Sequence, residues 1–213
     1  MTTSIDDLIK LRHKIHQHPE LSGEEQDTAR LFYDKLKGLN PDELYSDLGG
    51  FGIAAVFSGQ EAGPTILFRT ELDALPIDET LDIPYRSLVK GVSHKCGHDG
   101  HMAIIYGLAQ DIANQRPKRG RVVLLFQPAE EMASGAKDMI ADGLFDIIKP
   151  DEIYGLHIGP EASGTINYKS NELFAYQRSL KINFKSSNNE KELEHFMNTV
   201  LKSFARNIEY NGS

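Results

Sequence analysis

The stretch that decides how this chain is interpreted, residues 93–101, reads Ser93-His94-Lys95-Cys96-Gly97-His98-Asp99-Gly100-His101. It contains the single cysteine of the 213-residue chain and three of its eight histidines. Thiolate and imidazole ligands in close succession favour zinc, manganese, cobalt or iron over magnesium or calcium. The stretch therefore predicts a transition-metal site, located between a strand pattern at 65–69 and a helix pattern at 102–112.

Cys96 and His98 are the first two candidate ligands. They are two residues apart, and in an extended segment such side chains point to the same side, so both would reach one metal. The alternative is a buried free cysteine beside ordinary loop histidines. An isolated Cys-x-His would favour that alternative, so the choice depends on the rest of the chain.

Short apolar segments alternate with helical segments on both sides of this stretch. The predicted strands are 52–57, 65–69, 121–126, 152–157 and 164–168, and the predicted helices are 6–18, 22–38, 102–112 and 135–141. Ser22 or Gly23 is expected to cap the second helix, because Glu24 and Glu25 favour a helix N-terminus. This alternation is typical of an α/β fold with helices on both faces of the sheet.

Polar side chains follow three of the predicted strands. Glu130 and Glu131 come after 121–126, His157 ends 152–157, and Glu71 and Asp73 follow 65–69. The carboxyl ends of parallel strands face one crevice, where ligands bind. One glutamate can bind a metal while its neighbour faces the substrate, and Asp73 can orient a ligand. Taken singly, each has an ordinary alternative. Glutamates are common at a helix start, a lone histidine is often a core residue, and a carboxylate after a strand often caps backbone amides in a loop.

The pattern changes near residue 170. Leu180, Ile182 and Phe184 alternate with polar residues as in a one-sided strand, and 193–208 has the periodicity of an amphipathic helix. One strand and one helix cannot bury these apolar faces alone. We therefore predict a first domain over 1–170 and a partial second domain over 171–213, although packing of 171–213 on the first domain is an alternative.

Charge and cysteine content limit the partners and the compartment. The net charge of −8 argues against nucleic acid and against an anionic membrane surface as partners. No apolar run approaches a transmembrane length, and the N-terminus is too polar for a secretory signal. A single cysteine acting as a ligand thiolate survives best in a reducing compartment, so the expected location is cytoplasmic.

The segments in this order resemble the M20 metallopeptidase family, in its amidohydrolase branch of aminoacylase-like, hippurate-hydrolase-like and auxin-conjugate-hydrolase-like enzymes. The resemblance runs from residue 5 to about residue 170. The segments that carry it are Leu11-Arg12-His13-Lys14-Ile15-His16-Gln17-His18-Pro19-Glu20-Leu21-Ser22, 69–76, 94–101, 126–131 and Gly155-Leu156-His157.

This resemblance implies a hydrolase with two divalent transition metal ions (zinc, manganese or cobalt) that cleaves N-acyl amino acids or small peptide-like amides. Cys96, His98, Glu131 and His157 match metal ligands of the family, and Glu130 matches its general base. The implied fold is a zinc-peptidase-like α/β domain, with a mixed central sheet covered by helices on both faces, and a partial α+β lid. The lid usually dimerises, which implies a homodimer through 171–213.

Two departures from the family pattern stand out. The family's Arg-Ala-Asp-Met-Asp-Ala-Leu-Pro reads Arg69-Thr70-Glu71-Leu72-Asp73-Ala74-Leu75-Pro76 here. Family members are also much longer and carry a last histidine ligand that no segment here matches, so a truncated or internally deleted member is expected. The alternatives are a catalytically incomplete member that binds metal without turnover, and a cysteine hydrolase using Cys96 with His98.

Overall fold

The computed structural model describes residues 4–159, 162–167 and 195. The chain divides into two compact units, Met1–Glu161 and Ala162–Ser213. All elements named below belong to the first unit. The predicted lid strand and helix lie outside the described residues, apart from His195, which is helical. The predicted boundary at residue 170 stays a prediction.

Five helices and five strands form the first unit. The helices are α1 Ile5–Gln17, α2 Gln26–Lys37, α3 His98–Asn114, α4 Gly135–Ala141 and α5 Leu144–Ile147. The strands are β1 Glu43–Leu48, β2 Gly52–Ser58, β3 Glu61–Glu71, β4 Arg119–Gln127 and β5 Glu152–Gly155. They form one sheet in the order β1-β2-β4-β3-β5. None of the described helices is long and apolar enough to span a membrane.

The sheet is mixed, and both of its faces are covered. β2 pairs antiparallel with β1 and β4, whereas β3 runs parallel to β4 and β5. Alternate residues of β4 enter opposite cores, as the two-residue period of a strand requires. Leu124 and Phe126 pack with α1, α2 and α3, while Val123 and Leu125 pack on the side of α4 and α5. This arrangement confirms the predicted α/β fold.

The parallel part of the sheet brings three chain segments to one edge. Glu71 pairs with Gln127 and Arg69 pairs with Gly155, so β3 and β4 end together and β5 ends two residues short of them. The predicted site residues that follow 65–69, 121–126 and 152–157 are on the segments that continue from these three ends. The first turn of α3 supplies the remaining segment.

The structure differs from the predictions at several elements. β1 and α5 were not predicted, and residues 164–167 form a turn and coil instead of a strand. Neither Ser22 nor Gly23 caps α2, because the Ser22 hydroxyl donates a hydrogen bond to Asp73. The Glu20 carboxylate instead accepts hydrogen bonds from the backbone N–H groups of residues 27 and 28, at 3.1 and 2.7 Å.

A buried charged network joins α1 to the start of α3. His16 makes hydrogen bonds with Asp99 at 2.8 Å and Glu79 at 2.7 Å, one through each ring nitrogen. Each ring nitrogen of His16 therefore has a carboxylate partner. Arg12 donates to Asp99 at 2.6 Å, and Lys95 pairs with Glu79. Asp99, in the first turn of α3, therefore fixes α1 against that helix.

Replacement of Glu79 by glutamine is expected to destabilise the protein by roughly 1–3 kcal/mol at pH 7, because buried His16 loses a charged hydrogen-bond acceptor. Urea unfolding of the variant and the parent measures this difference. Glu24→Gln, at an exposed position, is the control and should change stability by less than about 0.5 kcal/mol.

The same variant should weaken the dependence of stability on acid. Burial alone would raise the pKa of Glu79, but hydrogen bonds with Lys95 and His16 outweigh burial and lower this pKa from its ordinary value of 4.5. A carboxyl with a lower pKa in the folded state stabilises the fold above its unfolded pKa, and this contribution disappears as pH falls through the folded pKa. The parent should therefore lose more stability than Glu79→Gln below about pH 4.5. Equal losses in the two proteins would contradict the prediction.

Candidate metal centre

A sharp turn at Gly97 separates the two predicted ligands Cys96 and His98. Gly97 has a left-handed backbone, with φ of 87°, and α3 begins at His98. An extended segment was predicted here, but the chain instead turns directly into the helix. The two side chains nevertheless converge: Cys96, His98 and His157 offer ligand atoms that all lie within 4.8 Å of one another.

His98 is oriented by Asp73 and has one ring nitrogen left for a ligand. Its Nδ1 lies 2.8 Å from the Asp73 backbone oxygen and 3.3 Å from the carboxylate Oδ1. Its Nε2 is buried and has no hydrogen-bond partner. A buried polar atom without a partner is costly, and a metal ion would remove that cost. A carboxylate or carbonyl behind the other ring nitrogen is the usual arrangement of a metal-bound histidine.

Glu130 and Glu131 follow β4 in a loop that is tightly held. The backbone N–H of Ala129 donates to Glu25 at 2.7 Å, and that of Glu131 donates to Asp73 at 2.9 Å. Their carboxylates lie 3.7 and 3.8 Å from His98 Nε2. One oxygen of Glu131, Oε1, is buried without a hydrogen-bond partner. It is thus a second buried atom that suits a cation.

The two glutamates differ in their environments. Burial raises the pKa of Glu130, although His98 and Arg69 oppose this shift, and the charge of Glu131 adds to it. A carboxylate with a raised pKa takes up a proton more readily near neutral pH, as a general base must. The side chain of Glu130 is also more exposed, at 32% against 20% for Glu131. Glu130 is therefore better placed for proton transfer and Glu131 for binding a metal.

Cys96 lies where a thiolate needs a cation. Burial, followed by the neighbouring charge of Glu131, raises the pKa of the Cys96 thiol to about 12. Without a positive partner the thiol therefore stays protonated at neutral pH. In their charged forms, the Cys96 thiolate and the carboxylates of Glu130 and Glu131 would repel one another. A divalent cation between them would favour all three charged forms.

His157 completes this group from the end of β5. Its Nε2 lies 3.3 Å from Cys96 Sγ, and its Nδ1–H donates to the backbone oxygen of Ile158 at 2.6 Å. The ring is exposed, so the site opens to solvent on this side. The strand itself ends at Gly155, two residues earlier than predicted.

Three sets of side chains among the described residues are close enough to hold a metal ion. They are Cys96-His98-His157, His98-Glu130-Glu131 and Glu71-His98-His101. The first two share His98 and contain all five residues predicted for the site. The third brings in His101, to which the sequence argument gave no role, although its position in residues 93–101 was the available signal.

The chain belongs to peptidase family M20/M25/M40, whose sequence model matches residues 67–209. Two curated relatives are similar over most of the chain. An N-acetyldiaminopimelate deacetylase of Ligilactobacillus salivarius is 34% identical over 97% of this chain and 54% of its own length. An N-acetyl-L-cysteine deacetylase of Bacillus subtilis is 38% identical over 92% of this chain and 47% of its own length. The family resemblance of the sequence is thereby confirmed.

A solved structure supports the fold independently. A Bacillus subtilis protein described as a dinuclear metal-binding peptidase from the M20 family superposes with a TM-score of 0.68 at 37% identity. The match covers 73% of this chain and 43% of that protein. This chain thus spans about half the length of the relatives that it matches.

Proposed function

We propose that this chain provides the metal-binding half of an amidohydrolase that removes the acyl group from N-acyl amino acids or small peptide-like amides. The observation that carries the proposal is the buried, unpartnered Nε2 of His98. It lies between a thiol–imidazole pair on one side and two carboxylates on the other. The relatives named as N-acetyl amino acid deacetylases support the choice of substrate class.

The proposed ligands are Cys96, His98, Glu131 and His157, and the proposed cofactor is two divalent ions of zinc, manganese or cobalt. The donor set fits such ions, since thiolate and imidazole suit zinc and cobalt, and carboxylate suits manganese. The dinuclear relative supports the number of ions. When bound, the ions supply polarisation of the amide carbonyl and a lowered pKa of water.

The side chains of this chain would divide the remaining work. Glu130 accepts a proton from the attacking water on its carboxylate oxygen and donates it to the nitrogen of the leaving amine. Asp73 holds His98 in one ring orientation, because its backbone oxygen accepts a hydrogen bond from Nδ1, and its carboxylate accepts one from the backbone N–H of Glu131. One residue, Asp73, therefore aligns two proposed ligands from different segments through its backbone oxygen and its carboxylate.

Two alternatives differ in what they require. A protein that binds metal without turnover requires only the side chains that surround His98. A cysteine hydrolase needs a reactive thiolate, but the raised pKa of Cys96 disfavours one. Its closest imidazole contact is also with His157 rather than His98.

Release of free amino acid from a panel of N-acetyl amino acids tests the proposal. We expect turnover with added Zn²⁺, Mn²⁺ or Co²⁺, loss of turnover in a chelator, and recovery on addition of metal. Metal binding without turnover would support the incomplete-enzyme alternative. Turnover that survives chelation but is lost on thiol alkylation would support the cysteine hydrolase.

Two further parts of the proposal concern the whole protein. A homodimer through 171–213 is proposed from the family resemblance, and these residues lie outside the described part of the chain except for His195. A cytoplasmic location is proposed from the single cysteine used as a ligand.

A further inference from the structure

The third histidine of residues 93–101, His101, is fully buried on the first turns of α3. Both of its ring nitrogens have partners. Nδ1 lies 2.9 Å from Glu71 Oε2, and the backbone N–H of Ile158 donates to Nε2 at 3.0 Å. Glu71 is in turn paired with Arg69, which also donates to Gln127 at 2.9 Å.

These contacts fix the tautomer of His101. A backbone N–H can only donate, so Nε2 accepts with its lone pair and the ring proton is on Nδ1. That proton is donated to Glu71, whose other oxygen is used by Arg69. Neither ring nitrogen of His101 is then available for a metal. Within the set Glu71-His98-His101, Glu71 and His101 are bonded to each other, so the set is not a third metal-binding group.

Ile158 links His101 to the proposed ligand His157. β5 pairs with β3 only as far as Gly155, so the ladder ends before both residues. The backbone of Ile158 donates to His101 Nε2 and accepts from His157 Nδ1–H at 2.6 Å. Its side chain packs against Gly97, where a Cβ atom would lie 2.1 Å from Ile158 Cδ1. Ile158 is thus fixed by α3 on its N–H side and orients the imidazole of His157 through its carbonyl.

We propose that His101 is a positioning residue for His157, acting through the Ile158 backbone, with Glu71 holding the required tautomer. This inference rests on the proposed function only in taking His157 as a metal ligand. It also assigns a role to Glu71, which replaces the aspartate of the family pattern. The Glu71 carboxylate accepts the hydrogen bond from Nδ1 of His101. It predicts that His101 influences metal affinity without touching the metal.

A double-mutant cycle with Zn²⁺ as the probe tests the proposal. His101→Leu should weaken Zn²⁺ affinity by about 10–100-fold, as loss of a residue that orients a ligand does. His101→Gln should retain most of the affinity, because its amide oxygen can accept from Ile158. In a background of His157→Ala, His101→Leu should cause no further loss, since the residue it positions is absent. His18→Leu, at an exposed histidine, is the matched control.

Two measurements on the metal-free protein separate this inference from the proposed function. Imidazole ¹⁵N resonances should show His101 protonated on Nδ1 and not on Nε2. The Ile158 amide should exchange with solvent about tenfold faster in His101→Leu than in the parent. If the parent bound no Zn²⁺, the proposed function would fail, while these two measurements would still decide the role of His101.

An Nε2-protonated His101, unchanged exchange at Ile158, or additive losses in the cycle would each overturn the proposal. If His101→Leu does not fold, the ¹⁵N tautomer of the parent and the Zn²⁺ affinity of His101→Gln decide it. A His101→Gln variant that folds with parent stability but binds Zn²⁺ as weakly as His157→Ala would also count against it.

Discussion

Replacement of Glu130 by glutamine is expected to lower the rate of amide hydrolysis by about 10²–10⁴-fold, the usual cost of removing a general base. Metal content should stay that of the parent, because the assigned ligands are unchanged. The expectation rests on the greater exposure of Glu130 and on the raised pKa of its carboxyl, which suits proton transfer near neutral pH. Initial rates on an N-acetyl amino acid, with metal content measured on the same samples, test it.

Glu131→Gln is the matched control, because it removes a charge from the adjacent position of the same loop. It should lose bound metal, with the loss of activity following the loss of metal. The opposite pattern, in which Glu130→Gln loses metal and Glu131→Gln keeps it, would show that the two roles are exchanged. If the parent chain has no turnover, the metal contents of the two variants still test the assignment of Glu131.

The second large effect is expected at the single cysteine. Cys96→Ala should weaken Zn²⁺ binding by more than about 100-fold, since loss of a ligand should exceed the 10–100-fold loss caused by removing its supporting residues. The effect should be local, because Cys96 Sγ lies 3.3 Å from Nε2 of the proposed ligand His157. Competition with a chromophoric chelator measures the affinity, and the Co²⁺ complex of the parent should show thiolate-to-metal charge transfer that the variant lacks.

Cys96→Ser controls for loss of volume at this position. It should bind Zn²⁺ weakly and also lack the charge-transfer band, because a hydroxyl is a poor replacement for a thiolate. An unchanged Zn²⁺ affinity in Cys96→Ala, or a parent Co²⁺ complex without the band, would exclude Cys96 as a ligand.

The sequence was sufficient to predict where the site residues come together. Glu130, Glu131 and His157 each follow an apolar strand, and parallel strands end at one edge of a sheet. Periodicity and chain order, which can be read from the residues themselves, are enough to place these strand ends. The role of Asp73, which supports both His98 and Glu131, also agrees with its position after β3.

The sequence was not sufficient for features that depend on a single turn or a distant contact. The left-handed backbone of Gly97 ends the extended segment and starts α3 earlier than its apolar pattern at 102–112. The partner of His101 is a backbone amide 57 positions away, and no side-chain pattern signals such a contact. β1 was missed because its sequence, ELYSDL, is mostly polar and only its last residue is buried.

The strand order has a consequence for how the molecule assembles. β4 lies between β2 and β3 in the sheet, although it follows both in the chain. During synthesis, β2 and β3 are therefore complete before β4 exists. The position between them stays vacant until the chain beyond Glu71 has been made as far as β4. Closing such long loops before the central pairings form slows folding. Residues 93–101 lie within that loop, so their side chains meet those of 130–131 and 157 only after the sheet has closed. The thiol of Cys96 is thus present on the unfinished chain before the groups that surround it in the folded structure are in place.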